Sequence, residues 1–325
     1  METATEHPQQ SEVPSIFIPP GGADALEGEV YFDPVKALWM GAAYVGTALA
    51  VCCYSSWSAF LIYVLSCSVV LCLGHSLGMH RRFIHRSYEC PLWLEYAFVY
   101  LGVLVGLAGP LGMLRTHDTR DWAQRQPRCH SYLSHASGFW KDGYWQIFCT
   151  LRLTLPPMFE PKKQIATDRF YTWLERTWMA QQLPWLALLY WAGGTEWMLW
   201  GGFARLATTV TGHWLIGYFA HNHGPQSWHV QGAGVQGYDV PFVGWLTMGE
   251  SWHNNHHAFP GSAKLGLYPG QSDPGWWVLM ALKRIGLVRH IRLPADLPHR
   301  SNLKRLAKTE TRQCALCAWL FGEAT

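Results

Sequence analysis

From Ala37 to Gly74 the chain carries no Asp, Glu, Lys or Arg. A membrane span takes about 20 apolar residues, so this run predicts two helices joined by a tight turn near Tyr54-Ser55-Ser56-Trp57-Ser58. A second apolar stretch runs from Trp178 to His221, interrupted by Gln181, Gln182, the turn Gly193-Gly194-Thr195-Glu196 and Arg205, and predicts a second hairpin. A third run, Tyr96 to Leu114, carries Gly102, Gly106, Gly109, Pro110 and Gly112. A crossing there would put Arg81 and Arg115 on opposite faces and part the histidines on either side of it, so it reads as an interfacial or buried helix that does not cross. Neither hairpin turn holds a Lys or Arg, whereas Arg81, Arg82 and Arg86 follow the first hairpin and eight Lys or Arg lie between Arg115 and Lys163. Because cations gather on the cytoplasmic side, both hairpins point the same way. The expected fold is an all-α, multi-pass integral membrane protein, with four transmembrane helices in two hairpins, a cytoplasmic helical cap and both termini in the cytoplasm.

Residues 1–32 are polar and rich in Pro, Gly and Glu, without the charged and apolar regions of a secretory signal, and predict a disordered tail. Residues 33–300 form the membrane domain and 301–325 a basic C-terminal tail. Composition adds to the membrane reading: of 325 residues 49% are hydrophobic, 14% charged and 19 are Trp, whose amphipathic ring favours the bilayer interface. A net charge of +3, with no basic stripe interleaved with stacking aromatics, excludes nucleic acid as a partner. The nine cysteines form no disulfide framework; Cys52, Cys53, Cys67 and Cys72 lie in apolar runs as small hydrophobes, and Cys314-x-x-Cys317 lacks a second pair at zinc spacing.

The chemistry lies in the histidines. In Met248 to Gly261, MGESWHNNHHAFPG, His253, His256 and His257 stand at i, i+3 and i+4. On a helix these share one face, so three imidazoles can converge on one point as metal ligands. His80 and His85 lie where the second span leaves the membrane, and His221 ends the fourth. The topology puts all of them on one membrane face. Five residues turn a straight helix by roughly 140°, so His80 and His85 can share a site only if the helix ends or unwinds between them, with Arg81 and Arg82 in the headgroup region. His75 has two readings of equal weight, an intrahelical hydrogen bond or ligation. His213 is too far from His221 along a helix for a shared metal, so it more readily serves a neighbouring helix, and His223 is a second-rank ligand. Trp214 and Trp252 are candidates for the wall of an apolar channel.

Together these motifs resemble the membrane-bound fatty-acid desaturase superfamily, and within it the acyl-CoA desaturase branch, from about Gly74 to Pro294. His80 and His85 match its first box, H-x4-H; His253, His256 and His257, with Gly249-Glu250 before and Phe259-Pro260 after, match the last box, H-x-x-H-H; His221 matches its isolated ligand. The resemblance implies two iron ions held by imidazoles, molecular oxygen as co-substrate, and electrons from a separate ferredoxin or cytochrome. It implies a fatty acyl substrate linked to CoA, membrane lipid or carrier protein, with the double bond as product. A hydroxylase, a decarboxylase or a metal-poor lipid-binding relative is the alternative on the same scaffold. The middle box departs from the pattern: H-x-x-H-H is here His117-Asp118-Thr119-Arg120-Asp121. Arg120 cannot ligate a cation, because guanidinium has no acceptor. Asp121 can supply an oxygen, and His130 or His135 can fold back to replace a lost imidazole; Asp121 can equally pair with Arg120 or orient His117.

Overall fold

The computed structural model describes residues 15–307, and it is mostly helical. Helix α1 spans Pro34–Cys53; Asp33 caps it by accepting hydrogen bonds from the amides of Val35 and Lys36. Helix α2, Trp57–Val69, starts at the Ser56 cap and continues without a break as a π-helix, Val70–Ile84. Pro34–Cys53 and the combined Trp57–Ile84 are the two helices, among the described residues, long and apolar enough to cross a membrane.

The second hairpin is helical too, with Gln182–Met198 bent where Gly193 and Gly194 leave helical geometry; Gly194 takes a φ of +68°. A short π-turn, Leu199–Ala204, leads into the long helix Arg205–Asn222. The two hairpin tips meet: Ser56 Oγ donates to Glu196 Oε2 at 2.6 Å and Trp200 Nε1 to the Tyr54 carbonyl at 2.8 Å.

The third apolar run forms α3, Leu92–Leu104, followed by α4, Pro110–Arg125. Thirteen residues rise about 20 Å, short of the ~30 Å hydrocarbon thickness. Helix α3 lies tight against the π-helix, because Gly74 and Gly78 present no side chain there: a Cβ at Gly74 would fall 2.4 Å from the Leu101 carbonyl carbon. Its C-terminal end is buried, and Arg205 and Gln182 satisfy it. Arg205 donates to the Leu104 carbonyl and to Gln182 Oε1, and Gln182 Nε2 donates to Leu104 O at 3.1 Å. The polar interruptions of the second hairpin thus cap another helix within an apolar setting.

Three expectations are corrected. Residues 15–32 are not a loose tail: Gly28–Phe32 pairs antiparallel with Cys149–Leu153, and Ile16–Phe17 with Met158–Phe159. The same holds just after residue 300, where Leu303–Arg305 pairs with Trp228–Val230, so the described residues hold three small two-stranded sheets beside their helices. Residues 1–14, and the Cys314/Cys317 pair, lie outside the described residues. Third, Arg81 and Arg82 turn inward. Buried Arg81 donates to Asp273 Oδ1 at 2.7 Å and to the carbonyls of Ala263 and Met248, and Arg82 pairs with Glu95 at 2.6 Å. The Arg81 contacts bind the end of the second helix to the C-terminal segment, and the Arg82 pair binds it to α3.

Candidate metal centre

Seven histidines gather into two groups: His80, His85, His117 and His256 in one, His221, His253 and His257 in the other, with the nitrogens of each group within 4.8 Å of one another. In the first group the ring centroids of His80 and His85 lie 4.8 Å apart, and that of His256 lies 4.5 Å from His80 and 4.8 Å from His85. The π-helix explains the first pair. Its hydrogen bonds run from i to i+5, and the His85 amide donates to the His80 carbonyl at 3.0 Å, stacking residue 85 nearly over residue 80. The helix widens where a break was expected.

The triplet at 253–257 is divided. It lies on a six-residue helix, His253–Ala258, from which His256 faces the first group while His253 and His257 face the second. Single-point convergence of the three is therefore replaced by a two-to-one split. In the second group His253 Nε2 lies 3.2 Å from His221 Nε2 and 3.0 Å from His257 Nε2.

The ring nitrogens are poised as ligands. Glu250 Oε2 lies 2.6 Å from His80 Nδ1, and His221 Nδ1 donates to the Gly217 carbonyl at 2.7 Å, which leaves the Nε2 lone pair of each free. Buried His85 Nε2 and His256 Nδ1 have no hydrogen-bond partner. An orphaned buried nitrogen is costly unless something not made of protein satisfies it, and an all-imidazole set suits iron, zinc or copper. The residues therefore fit a metal in each group. Burial, aided by neighbouring imidazoles, holds His256 and His253 well below the usual histidine range and His257 at about 4, so these rings are neutral at physiological pH, the form that can ligate a metal.

The divergent box is resolved in part. His117 joins the first group, with Nδ1 3.0 Å from Asp118 Oδ1. Asp121 stands in neither group but beside both: burial resists its charge, yet His117, Arg125, His257 and His253 hold its carboxyl below the ordinary range. Its hydrogen bond comes from Arg125, at 2.9 Å, and not from Arg120. His130 is in neither group; it caps the short helix Ser131–Ser134, its Nδ1 accepting from the Tyr132 amide. His135 does fold back, stacking on His221 with centroids 5.4 Å apart. Its Nδ1 lies 2.8 Å from Asp142 Oδ2 and its Nε2 meets the Arg120 guanidinium, which also donates to Gln146 Oε1 at 3.0 Å. His223 lies exposed outside both groups, and the indoles of Trp214 and Trp252 are held by Asp142 and the Ser272 carbonyl. Asp142, which holds His135, is absent from the sequence reading, and Glu250 enters it only as a neighbour of the last box.

A cleft of about 350 Å³ opens beside the first group, lined by His85, His117, Asp121, Arg86, Arg125 and Lys162 among others.

No family model matches the chain. It is 31% identical over 249 residues to the acyl-CoA 5-desaturase AL21 of Anemone leveillei, covering 75% of each protein. It is 32% identical over 239 residues to the sn-1 stearoyl-lipid 9-desaturase of Anabaena variabilis, covering 73% of this chain and 85% of that one. Over 269 residues it is 29% identical to the sn-2 palmitoyl-lipid 9-desaturase of Nostoc sp. (strain 36), covering 78% and 90%. With two groups of converging imidazoles and this extent of similarity, the chain belongs to the fatty acid desaturase superfamily, on its acyl-CoA desaturase branch, and is an oxidoreductase that desaturates fatty acyl chains.

Proposed function

We propose that the protein holds two iron ions, one in each histidine group, and uses dioxygen and electrons from an external ferredoxin or cytochrome to place a double bond in an acyl chain carried by CoA or by lipid. The observation that carries this reading is the pair of histidine groups with buried, unpartnered ring nitrogens. Removing hydrogen from an unactivated methylene needs an oxidant stronger than any side chain, and the iron pair supplies it. The chain supplies placement. Glu250 and the Gly217 carbonyl orient His80 and His221, and the buried setting excludes water while holding the other rings neutral.

The membrane arrangement belongs to the same proposal: four spans in two hairpins, tips together, with the histidine groups at the opposite, cytoplasmic end. The meeting of Ser56 with Glu196 supports it. The cations lining the cleft support a phosphorylated head group on the substrate. Expression in a host of known lipid profile, with mass spectrometry of its acyl chains, tests the reaction, and new double bonds are the expected result. One observation favours a second reading: Arg120 stands where the family has an imidazole, and the group around His221 keeps three. An iron count near two per chain supports the first reading, and near zero a lipid-binding protein without turnover.

A further inference from the structure

Two histidines beside the first group remain without a role. His75 lies on the π-helix five residues before His80, its ring parallel to that of His80 with centroids 6.3 Å apart. His213, on the helix Arg205–Asn222, meets it edge to face at 5.1 Å. Neither belongs to a metal group, and neither forms a hydrogen bond with the protein; His75 Nδ1 is buried without a partner. His213 is exposed, with His75, Arg120, His135 and His80 as its charge-bearing neighbours. Its exposed ring adjoins His75, on the second helix. Two rings are too few for a metal site, and a buried ring nitrogen such as His75 Nδ1 is costly to leave unsatisfied unless a ligand answers it.

We infer that His75 and His213 form a polar subsite, against the four-histidine group, that hydrogen-bonds an oxygen function carried within the hydrocarbon chain of the substrate: a hydroxyl, ether or keto group near the carbon presented to the metal. The inference rests on the desaturase reading, since it takes the acyl chain to pass beside these two rings. A plain methylene chain passing this point leaves both imidazoles unpaired, whereas an oxygen at the right carbon pairs with one or both. Sites built to hydrogen-bond a substrate reject analogues that lack the group far more strongly than apolar pockets reject small changes in size.

The test uses the full-length protein, loaded with metal, in lipid nanodiscs. The probes are stearoyl-CoA and a set of stearoyl-CoA analogues with one hydroxyl at successive mid-chain carbons. Equilibrium binding and turnover are measured for wild type and for His213→Phe, His75→Phe and His213→Asn. The expected result is that wild type favours one hydroxyl position by about tenfold over the plain chain. Both Phe variants lose that preference, and His213→Asn, which keeps a hydrogen-bonding group, retains part of it. Metal content of each variant confirms that both histidine groups are intact. Equal or weaker binding at every hydroxyl position, or a preference that survives both Phe substitutions, overturns the inference. Binding is read without turnover, so a protein that discriminates hydroxylated chains but desaturates none fails the reaction proposal and not this one.

Discussion

Glu250 Oε2 lies 2.6 Å from His80 Nδ1, and the same carboxylate accepts a hydrogen bond from Ser76 at 2.5 Å. Burial opposes its ionisation, but His80 and Arg81 outweigh burial and lower its pKa. A charged acceptor on Nδ1 keeps the ring's proton there and turns Nε2 to the metal. Glu250→Gln should weaken metal binding about ten- to a hundredfold, through the first group alone, as read by chelator competition. Unchanged affinity would remove Glu250 from the site.

Because the 253–257 triplet divides, its members are separable. His256→Ala should cut the metal bound by the first group and His257→Ala that bound by the second, each variant settling near one metal per chain, with activity lost in both. Identical, complete loss of metal in the two variants would argue for one shared site. Membrane insertion should survive in each, since neither residue lies in a span.

Asp121 touches both groups electrostatically but bonds only Arg125. If it lends charge and not coordination, Asp121→Asn should leave two metals bound while Asp121→Ala frees Arg125 and lowers activity by less than the loss of a histidine ligand. A fall in metal content in the Asn variant would make it a ligand after all.

Acid should open the site in a defined window. Burial lowers His257 from 6.5 to about 4. Between those values the unfolded chain binds a proton that the folded chain refuses, so stability falls as pH drops from about 6.5 toward 4, and protons also compete with metal. Thermal unfolding and metal retention across this range should decline together; stability that rises on acidification contradicts a neutral, buried His257.

The ion pair of Arg81 with Asp273 is buried, and Asp273 also accepts from the amides of Leu265 and Trp276. Removing one partner strands the other, so Arg81→Met should cost about 3–5 kcal/mol, seen as lower thermal stability in detergent.

Much of this was legible from residue order. Glycines and a proline marked the interruption between α3 and α4, and the histidine spacings marked His80, His117, His221 and His256, which the fold brings into the two groups. What could not be read depended on backbone departures from a straight α-helix. Spacing of five separates His80 from His85 until the helix widens, and i, i+3, i+4 does not reveal that two clusters will compete for the three rings. Arg81 looked like a headgroup cation because its partner, Asp273, is 192 residues away. The strands at Gly28–Phe32 and Leu303–Arg305 are short and lack alternation long enough to announce themselves.

Among the described residues, the six-residue helix His253–Ala258 is the one element that feeds both clusters. Its length leaves little slack: a rotation that tightens His256 on one ion swings His253 and His257 relative to the other. With an ion in each cluster, as proposed, the two would be mechanically geared, and occupancy of the first position would preset the fit, and hence the affinity, of the second.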